Sequence, residues 1–216
     1  MPMYSWSAIE HNAEIPDNFI DLRELIPGLM QDVRYFSTNN FIGDRIPGYE
    51  AERIIGTLEL ALALKAVQRE VAYANLELKI FDAYRPQRAV DHFIRWAHDP
   101  ADVRTKAEYY PNIAKEDIFP KGYLLELSSH SRGSTVDLTL VDSYTFNELD
   151  MGTAFDFFDE LSWPASLMVT PQQRANRLLL RSLMEKHGFV PVEEEWWHFT
   201  LRDEPYPETY FDFPIR

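Results

Sequence analysis

Two short stretches, far apart in the chain, limit what it can fold into more than anything else in it. One is Ser128-Ser129-His130-Ser131-Arg132-Gly133-Ser134-Thr135-Val136-Asp137, the other Glu195-Trp196-Trp197-His198. Read together they offer two imidazoles, a carboxylate and a spare glutamate. A catalytic zinc needs such a set: three nitrogen or oxygen ligands, an open position for water and a nearby base. His130 and Asp137 are too far apart for one helical turn, but Gly133 lets the chain fold back between them. The following Thr135–Leu140 alternates with period two. Val136, Leu138 and Leu140 are expected to face the core, with Asp137 on the polar face between two threonines.

Each piece also has an ordinary reading. A histidine in a serine-rich turn is usually a surface residue, and an aspartate between threonines is usually solvated. Glu195 and His198 do not form the helical HExxH pattern. Their surroundings, Glu195 to Leu201, are aromatic and predict a strand. On a regular strand residues three apart point to opposite faces. A bulge, or a Glu195 placed in the loop ahead of the strand, would bring both into one site.

The pattern Ser-x-His-x-x-Gly-x-x-x-Asp followed by Glu-x-x-His resembles the zinc D-Ala-D-Ala peptidases, which share a fold with the hedgehog signalling domain. Within that group the chain resembles the D-alanyl-D-alanine dipeptidases of vancomycin-resistance systems. Asp32-Val33-Arg34-Tyr35, Asn40-Phe41-x-Gly43 and Asp82-Ala83-Tyr84-Arg85-Pro86 carry the resemblance further, from about residue 20 to 200. It implies that His130, Asp137 and His198 hold one zinc ion, that Glu195 is the catalytic base, and that Arg85 stabilises the tetrahedral intermediate. It also implies that Asp156 holds the substrate's ammonium group.

At 216 residues the chain is expected to form one domain, residues 1–216, able to bury a core without staples. It has no cysteine, so a metal site must use His, Asp and Glu. Acidic residues outnumber basic ones by 35 to 21, a net charge of −14, which disfavours nucleic acid and anionic membranes as partners. No apolar stretch approaches the roughly 20 residues of a membrane span. Met1-Pro2-Met3-Tyr4-Ser5-Trp6 lacks a basic start and an apolar run, so no signal peptide is expected and the cytoplasm is the default.

Residues 1 to 19 show no periodicity. Leu58 to Ala74 predicts a helix with a broad apolar face that includes Leu58, Leu60, Leu62, Leu64, Val67 and Val71. Leu76 to Asp82 alternates as a strand, and Pro86 opens a helix to about Ala97. Arg85 therefore falls at a strand-to-helix junction, a common place for functional groups; its ordinary reading is a surface partner of Asp82. Tyr35 and Asn40 fall in a turn-rich stretch, where turn packing and a role near substrate are both open. Further helices are expected from Pro100 to about Tyr110 and from Pro111 to Ile118. Asp142 to Thr170 predicts a long loop, usually a functional or mobile feature. Thr170-Pro171 starts a helix that Lys186-His187-Gly188 ends. The tail from Pro205 is expected on the surface. Helices and strands in separate blocks predict an α+β domain with helices packed on a mostly antiparallel sheet, and the resemblance implies the same fold.

The expected activity is hydrolysis of D-Ala-D-Ala or a similar small D-dipeptide, with Ser128 and Ser129 as candidate donors to its carboxylate. The alternatives are a D,D-carboxypeptidase acting on cell-wall stem peptides and a non-catalytic zinc-binding interaction module. Oligomeric state, and the choice between antibiotic resistance and dipeptide scavenging, stay open.

Overall fold

The computed structural model describes residues 9–10 and 14–216; the reading of Met1 to Trp6 lies outside them. The strands are β1 (Ile9–Glu10), β2 (Phe19–Asp21), β3 (Met30–Gln31), β4 (Ile55–Thr57), β5 (Leu76–Asp82), β6 (Thr135–Asp142), β7 (Phe189–Pro191), β8 (His198–Leu201) and β9 (Tyr210–Phe211). The helices are α1 (Leu22–Leu25), α2 (Leu58–Val71), α3 (Gln87–Ala97), α4 (Lys106–Tyr109) and α5 (Pro171–Lys186). Among the described residues a five-stranded sheet runs in the order β3-β5-β6-β8-β7. β3 is parallel to β5, and the remaining pairs are antiparallel. The architecture is α+β with a mostly antiparallel sheet. No described helix is long and apolar enough to cross a membrane.

The register of this sheet does most to place the site. Asp137 on β6 pairs with His198 on β8 on one side and with Asp82 on β5 on the other. A register shift between Ile80 and Asp82 allows the second pairing. Three polar side chains thus stand in a row across three central strands. The face of β6 that alternation marks as polar is not solvated: Thr135, Asp137 and Thr139 are as buried as Val136, Leu138 and Leu140.

Helix α2 starts where the Thr57 hydroxyl accepts the Leu60 N–H. Its buried stripe is Leu60, Ala61, Leu64, Val67 and Val71, narrower than predicted, since Leu58 and Leu62 are exposed. Helix α5 starts with a capping box between Thr170 and Gln173. At its end His187 faces Glu70 of α2 across 2.7 Å, a specific partner beyond the general pull of the helix dipole.

Two expectations need correction. Between residues 100 and 118 only α4 and a 3₁₀ turn at Lys115–Asp117 form. At the start of this stretch Lys115, buried over the Trp96 ring, donates to the carbonyls of Asp99 and Asp102 at 2.8 and 2.7 Å. Those carbonyls are held away from helical partners. Further on, Pro111 disfavours helical backbone at Tyr110, where α4 stops. The tail is also not a surface segment. Phe211, Phe213 and Ile215 are buried, and Phe213 stacks on Tyr84 with ring centres 4.0 Å apart. The Tyr84 hydroxyl donates to the Phe213 carbonyl, and Arg88 grips the Asp212 carboxylate. Asp212 and Pro214, which lie between the three apolar residues, are buried as well, so the segment from 211 to 215 is enclosed on both sides.

Phe213→Ala is expected to destabilise the protein by about 3–5 kcal/mol, the usual range for a fully buried Phe. Urea denaturation compared with wild type reads this directly. A loss below about 1 kcal/mol would return the tail to the surface.

Candidate metal centre and active site

His130 reaches the row of polar strand residues from a 3₁₀ turn, Ser129–Arg132, that leads into β6. The Ser128 hydroxyl caps this turn by accepting the His130 N–H, and Gly133 ends it with φ of +84°. A side chain at Gly133 would collide with the Phe19 ring, so the position requires glycine for space as well as for conformation. Only 1% exposed, His130 turns Nδ1 to the Ala83 carbonyl at 2.6 Å and Nε2 inward. Nε2 lies 3.2 Å from Asp137 Oδ2 and 3.2 Å from His198 Nδ1. His198 Nδ1 is also 3.1 Å from Asp137 Oδ1, while its Nε2 faces the Ser129 hydroxyl at 3.3 Å.

This arrangement fits a metal. A neutral imidazole whose Nδ1 proton points at a carbonyl presents a lone pair on Nε2. Two ring nitrogens and a carboxylate therefore converge on one point, a poor arrangement unless a cation sits between them. Donors about 2.0–2.1 Å from a tetrahedral zinc stand about 3.3–3.4 Å apart, close to the contacts found here. Asp137 Oδ1 is buried and makes no hydrogen bond within the protein. Among the described residues this is the only cluster of His, Asp and Glu with metal-ligand spacing.

The electrostatics agree. Burial, with Arg85 nearby, pushes His130 down to about 4, so it is neutral as a ligand must be. Burial opposes the charge on Asp137, yet the two histidines hold its carboxyl well below the usual range. Burial also opposes charge on His198, but Asp137 and Glu195 raise its pKa. The trio attracts positive charge.

Glu195 sits in the turn ahead of β8, the loop placement that the strand argument left open. Its Oε2 is 3.5 Å from His198 Nδ1. The turn is anchored by two buried tryptophans: Trp196 donates through Nε1 to Thr153 Oγ1, and the Trp197 carbonyl accepts from Leu138 N–H. Burial raises Glu195 to about 8, with His198 opposing and Asp137 and Asp156 adding to the rise.

Arg85 is buried, not on the surface. Asp82 Oδ2 accepts from its Nε at 2.9 Å, and Nη2 reaches Asp137 Oδ2 at 3.3 Å. The guanidinium also lies over the rings of Tyr35 and Phe93. Asp82 in turn accepts from the Tyr49 hydroxyl at 2.7 Å. From the sequence, Asp82 stands in the motif that carries the resemblance and as an ordinary partner of Arg85, with no further role, and Tyr49 is not singled out. For Asp82 the signal was available, a carboxylate three residues before Arg85 at the end of an alternating strand; Tyr49 had none.

Asp156 is 5% exposed in the long loop and adopts φ of +61°, uncommon for a residue with a side chain. Its Oδ2 accepts from the Tyr35 hydroxyl at 2.9 Å. Burial, then the charge on Asp137, raises its carboxyl to about 8. The nine residues His130, Asp137, His198, Glu195, Arg85, Asp156, Tyr35, Ser128 and Ser129 line one cavity of about 450 Å³; Asn40 does not, its side chain bonding instead to the backbone of its own turn. Tyr35 combines both open readings, ring packed and hydroxyl at the cavity. Ser128 and Ser129 already have partners in the His130 turn and in His198.

A buried His-Asp-His trio beside a glutamate and a buried arginine, set across a mostly antiparallel sheet, is the arrangement of a metallopeptidase. Residues 16–216 match the peptidase family described as D-Ala-D-Ala dipeptidase, and the chain belongs to it. It is 45% identical over 199 residues to the D-alanyl-D-alanine dipeptidase of Enterococcus faecalis, covering 92% of this chain and 98% of that one. The Streptomyces coelicolor protein of the same name is 46% identical over 197 residues, covering 91% and 96%. That of Escherichia coli is 34% identical over 182 residues, covering 84% and 83%. A solved Zn(II) complex of the vancomycin-resistance D,D-pentapeptidase VanY aligns with a TM-score of 0.44 at 13% identity, over 71% of this chain and 76% of that one.

After chelation the wild type is expected to take back one zinc ion per chain, and His130→Ala and His198→Ala to lose most of that uptake. Metal analysis of the dialysed proteins decides it. Full stoichiometric uptake by both variants would place the ligands elsewhere.

Proposed function

We propose that this chain is a zinc dipeptidase acting on D-Ala-D-Ala or a closely similar small D-dipeptide. The observation that carries the reading is Asp156, a buried carboxylate in the same cavity as the histidine pair and Glu195. A free dipeptide is a zwitterion, and its ammonium group needs such an anion.

His130, Asp137 and His198 would hold the zinc, which when bound lowers the pKa of water to about 7 and polarises a carbonyl. Glu195 takes the proton from the attacking water and passes it to the leaving amine. Arg85, held by Asp82, offers N–H groups where negative charge builds on the carbonyl oxygen, an effect that is often the largest in such reactions. Asp156, steadied by Tyr35, pairs with the ammonium. In the free protein burial costs this carboxylate its charge, and the arriving cation restores it.

A carboxypeptidase acting on stem peptides needs room beyond the amine position, where this chain has a buried carboxylate held by a tyrosine. A purely structural metal module has no use for a base and a buried arginine beside the metal ligands.

Glu195→Ala is expected to keep zinc and fold while losing roughly 10²–10⁴-fold in kcat, the usual range for a general base. A loss under about tenfold on a zinc-replete sample would remove Glu195 from this role.

Blocking the substrate amine removes the charge-assisted hydrogen bond to Asp156, a loss of about 2–5 kcal/mol. N-acetyl-D-Ala-D-Ala and the stem pentapeptide are therefore expected to be very poor substrates, and Asp156→Ala to narrow the gap. The comparison is kcat/KM for free and acetylated dipeptide on both proteins. Equal rates on the wild type would favour the carboxypeptidase.

A further inference from the structure

The segment between β6 and α5 carries Asp156, and its regular structure is limited to a 3₁₀ turn at Glu160–Ser162. Side chains from elsewhere hold its backbone. Arg177 of α5, 2% exposed, donates through Nε to the Met151 carbonyl at 2.6 Å and through Nη1 to the Trp163 carbonyl at 2.8 Å. These two carbonyls bracket Asp156 in the chain, so one guanidinium closes the loop that presents it. From the opposite side Trp196, the neighbour of Glu195, donates Nε1–H to Thr153 Oγ1 at 2.9 Å and its backbone N–H to the Ser162 carbonyl at 3.1 Å. Thr153 Oγ1 and Ser162 Oγ are 3.0 Å apart, which ties the two arms of the loop together.

A buried guanidinium is an expensive way to fill space, because taking its charge out of water costs several kcal/mol unless it is well partnered. The hydrogen bonds found for Arg177 end on neutral carbonyls. What a guanidinium offers that an apolar side chain cannot is a rigid fork of donors that fixes two acceptors relative to each other.

The geometry points to Arg177 as a positioning residue that, through the loop from Met151 to Trp163, sets the distance between Asp156 and Glu195. That distance decides how much substrate fits between the anchored amine and the scissile carbonyl, so Arg177 acts on substrate length without touching substrate. The inference rests on the reading of Asp156 as the amine anchor.

The test compares kcat/KM for D-Ala-D-Ala and for N-acetyl-D-Ala-D-Ala in wild type, Asp156→Ala, Arg177→Met, Arg177→Lys and Thr153→Val. Thr153 is half-buried, so its variant keeps a folded protein in hand if Arg177→Met fails to fold. Misplacing a bound group by about 1 Å costs on the order of 10²-fold, so the free dipeptide should lose at least about tenfold in Arg177→Met and Thr153→Val, mainly through KM. The acetylated dipeptide, which does not use Asp156, should be unaffected, and the free-to-blocked ratio should fall. Arg177→Lys, with one donor head in place of a fork, should fall between. A merely structural role lowers both substrates in parallel; an unchanged ratio in folded variants overturns the inference. If Asp156→Ala shifts the ratio while Arg177→Met and Thr153→Val do not, the anchor stands and only the positioning role is lost. A wild type with no preference for the free amine removes the anchor itself and this inference with it.

Discussion

One buried negative charge organises the molecule. The Asp137 carboxylate lies in the middle of the five-stranded sheet, 2% exposed, where an unpaired ion would be strongly unfavourable. Every polar element of the site can be understood as a response to it. His130 and His198 turn ring nitrogens toward it and Arg85 reaches it through Nη2. Asp82, next in the row across the strands, holds Arg85 in place and is itself pushed up to about 7, chiefly by burial, with Arg85 opposing and Asp137 adding to the rise. The concentration of acidic groups around one point is tolerable only with cationic company, from the protein and from a metal.

The apolar frame explains how such a cluster stays ordered. Tyr84 and Arg85 are neighbours at the junction of β5 and α3, and Tyr84 packs against Phe19 and Phe213, which also touch each other. On the other side Phe155, beside Asp156, stacks on Phe81, the residue at the register shift of β5. Aromatic contacts thus flank both Arg85 and Asp156. They are rigid and directional, which suits residues whose job is to keep charged side chains from relaxing toward water.

Much of this was legible in the sequence, for identifiable reasons. The alternation from Thr135 to Leu140 predicted β6 because strand period is a local property. The spacing of Glu195 and His198 posed a problem with two answers, and the structure takes the loop placement. Position in a sheet is not local, and there local pattern fell short. Alternation marked Thr135, Asp137 and Thr139 as a polar face, but strands on both sides and loops above bury that face too. Leu58 and Leu62 satisfied a helical stripe, yet the surface α2 covers is narrower than the stripe. Composition placed the tail outside, whereas the ring of Tyr84 and the carboxylate-binding Arg88 draw it in. After α3, Lys115 takes up the carbonyls of Asp99 and Asp102, and Pro111 follows where α4 stops, so helical propensity alone overestimated this stretch.

The buried tail also bears on how the chain comes to be active during synthesis. Ribosomes deliver Asp82, Arg85, His130 and Asp137 well before Glu195 and His198, and the 211–215 segment emerges later still. Until β8 docks on β6, the Asp137 carboxylate lacks one of its ring partners; until Phe213 covers Tyr84, the junction presenting Arg85 has an open side. Pairings so distant in sequence close slowly. A nascent chain therefore carries an unbalanced carboxylate cluster and an uncovered aromatic surface until those later segments emerge. The hydrolytic centre can assemble only once β8 and the 211–215 segment have left the exit tunnel, so products that stop before them would be inert as well as unstable.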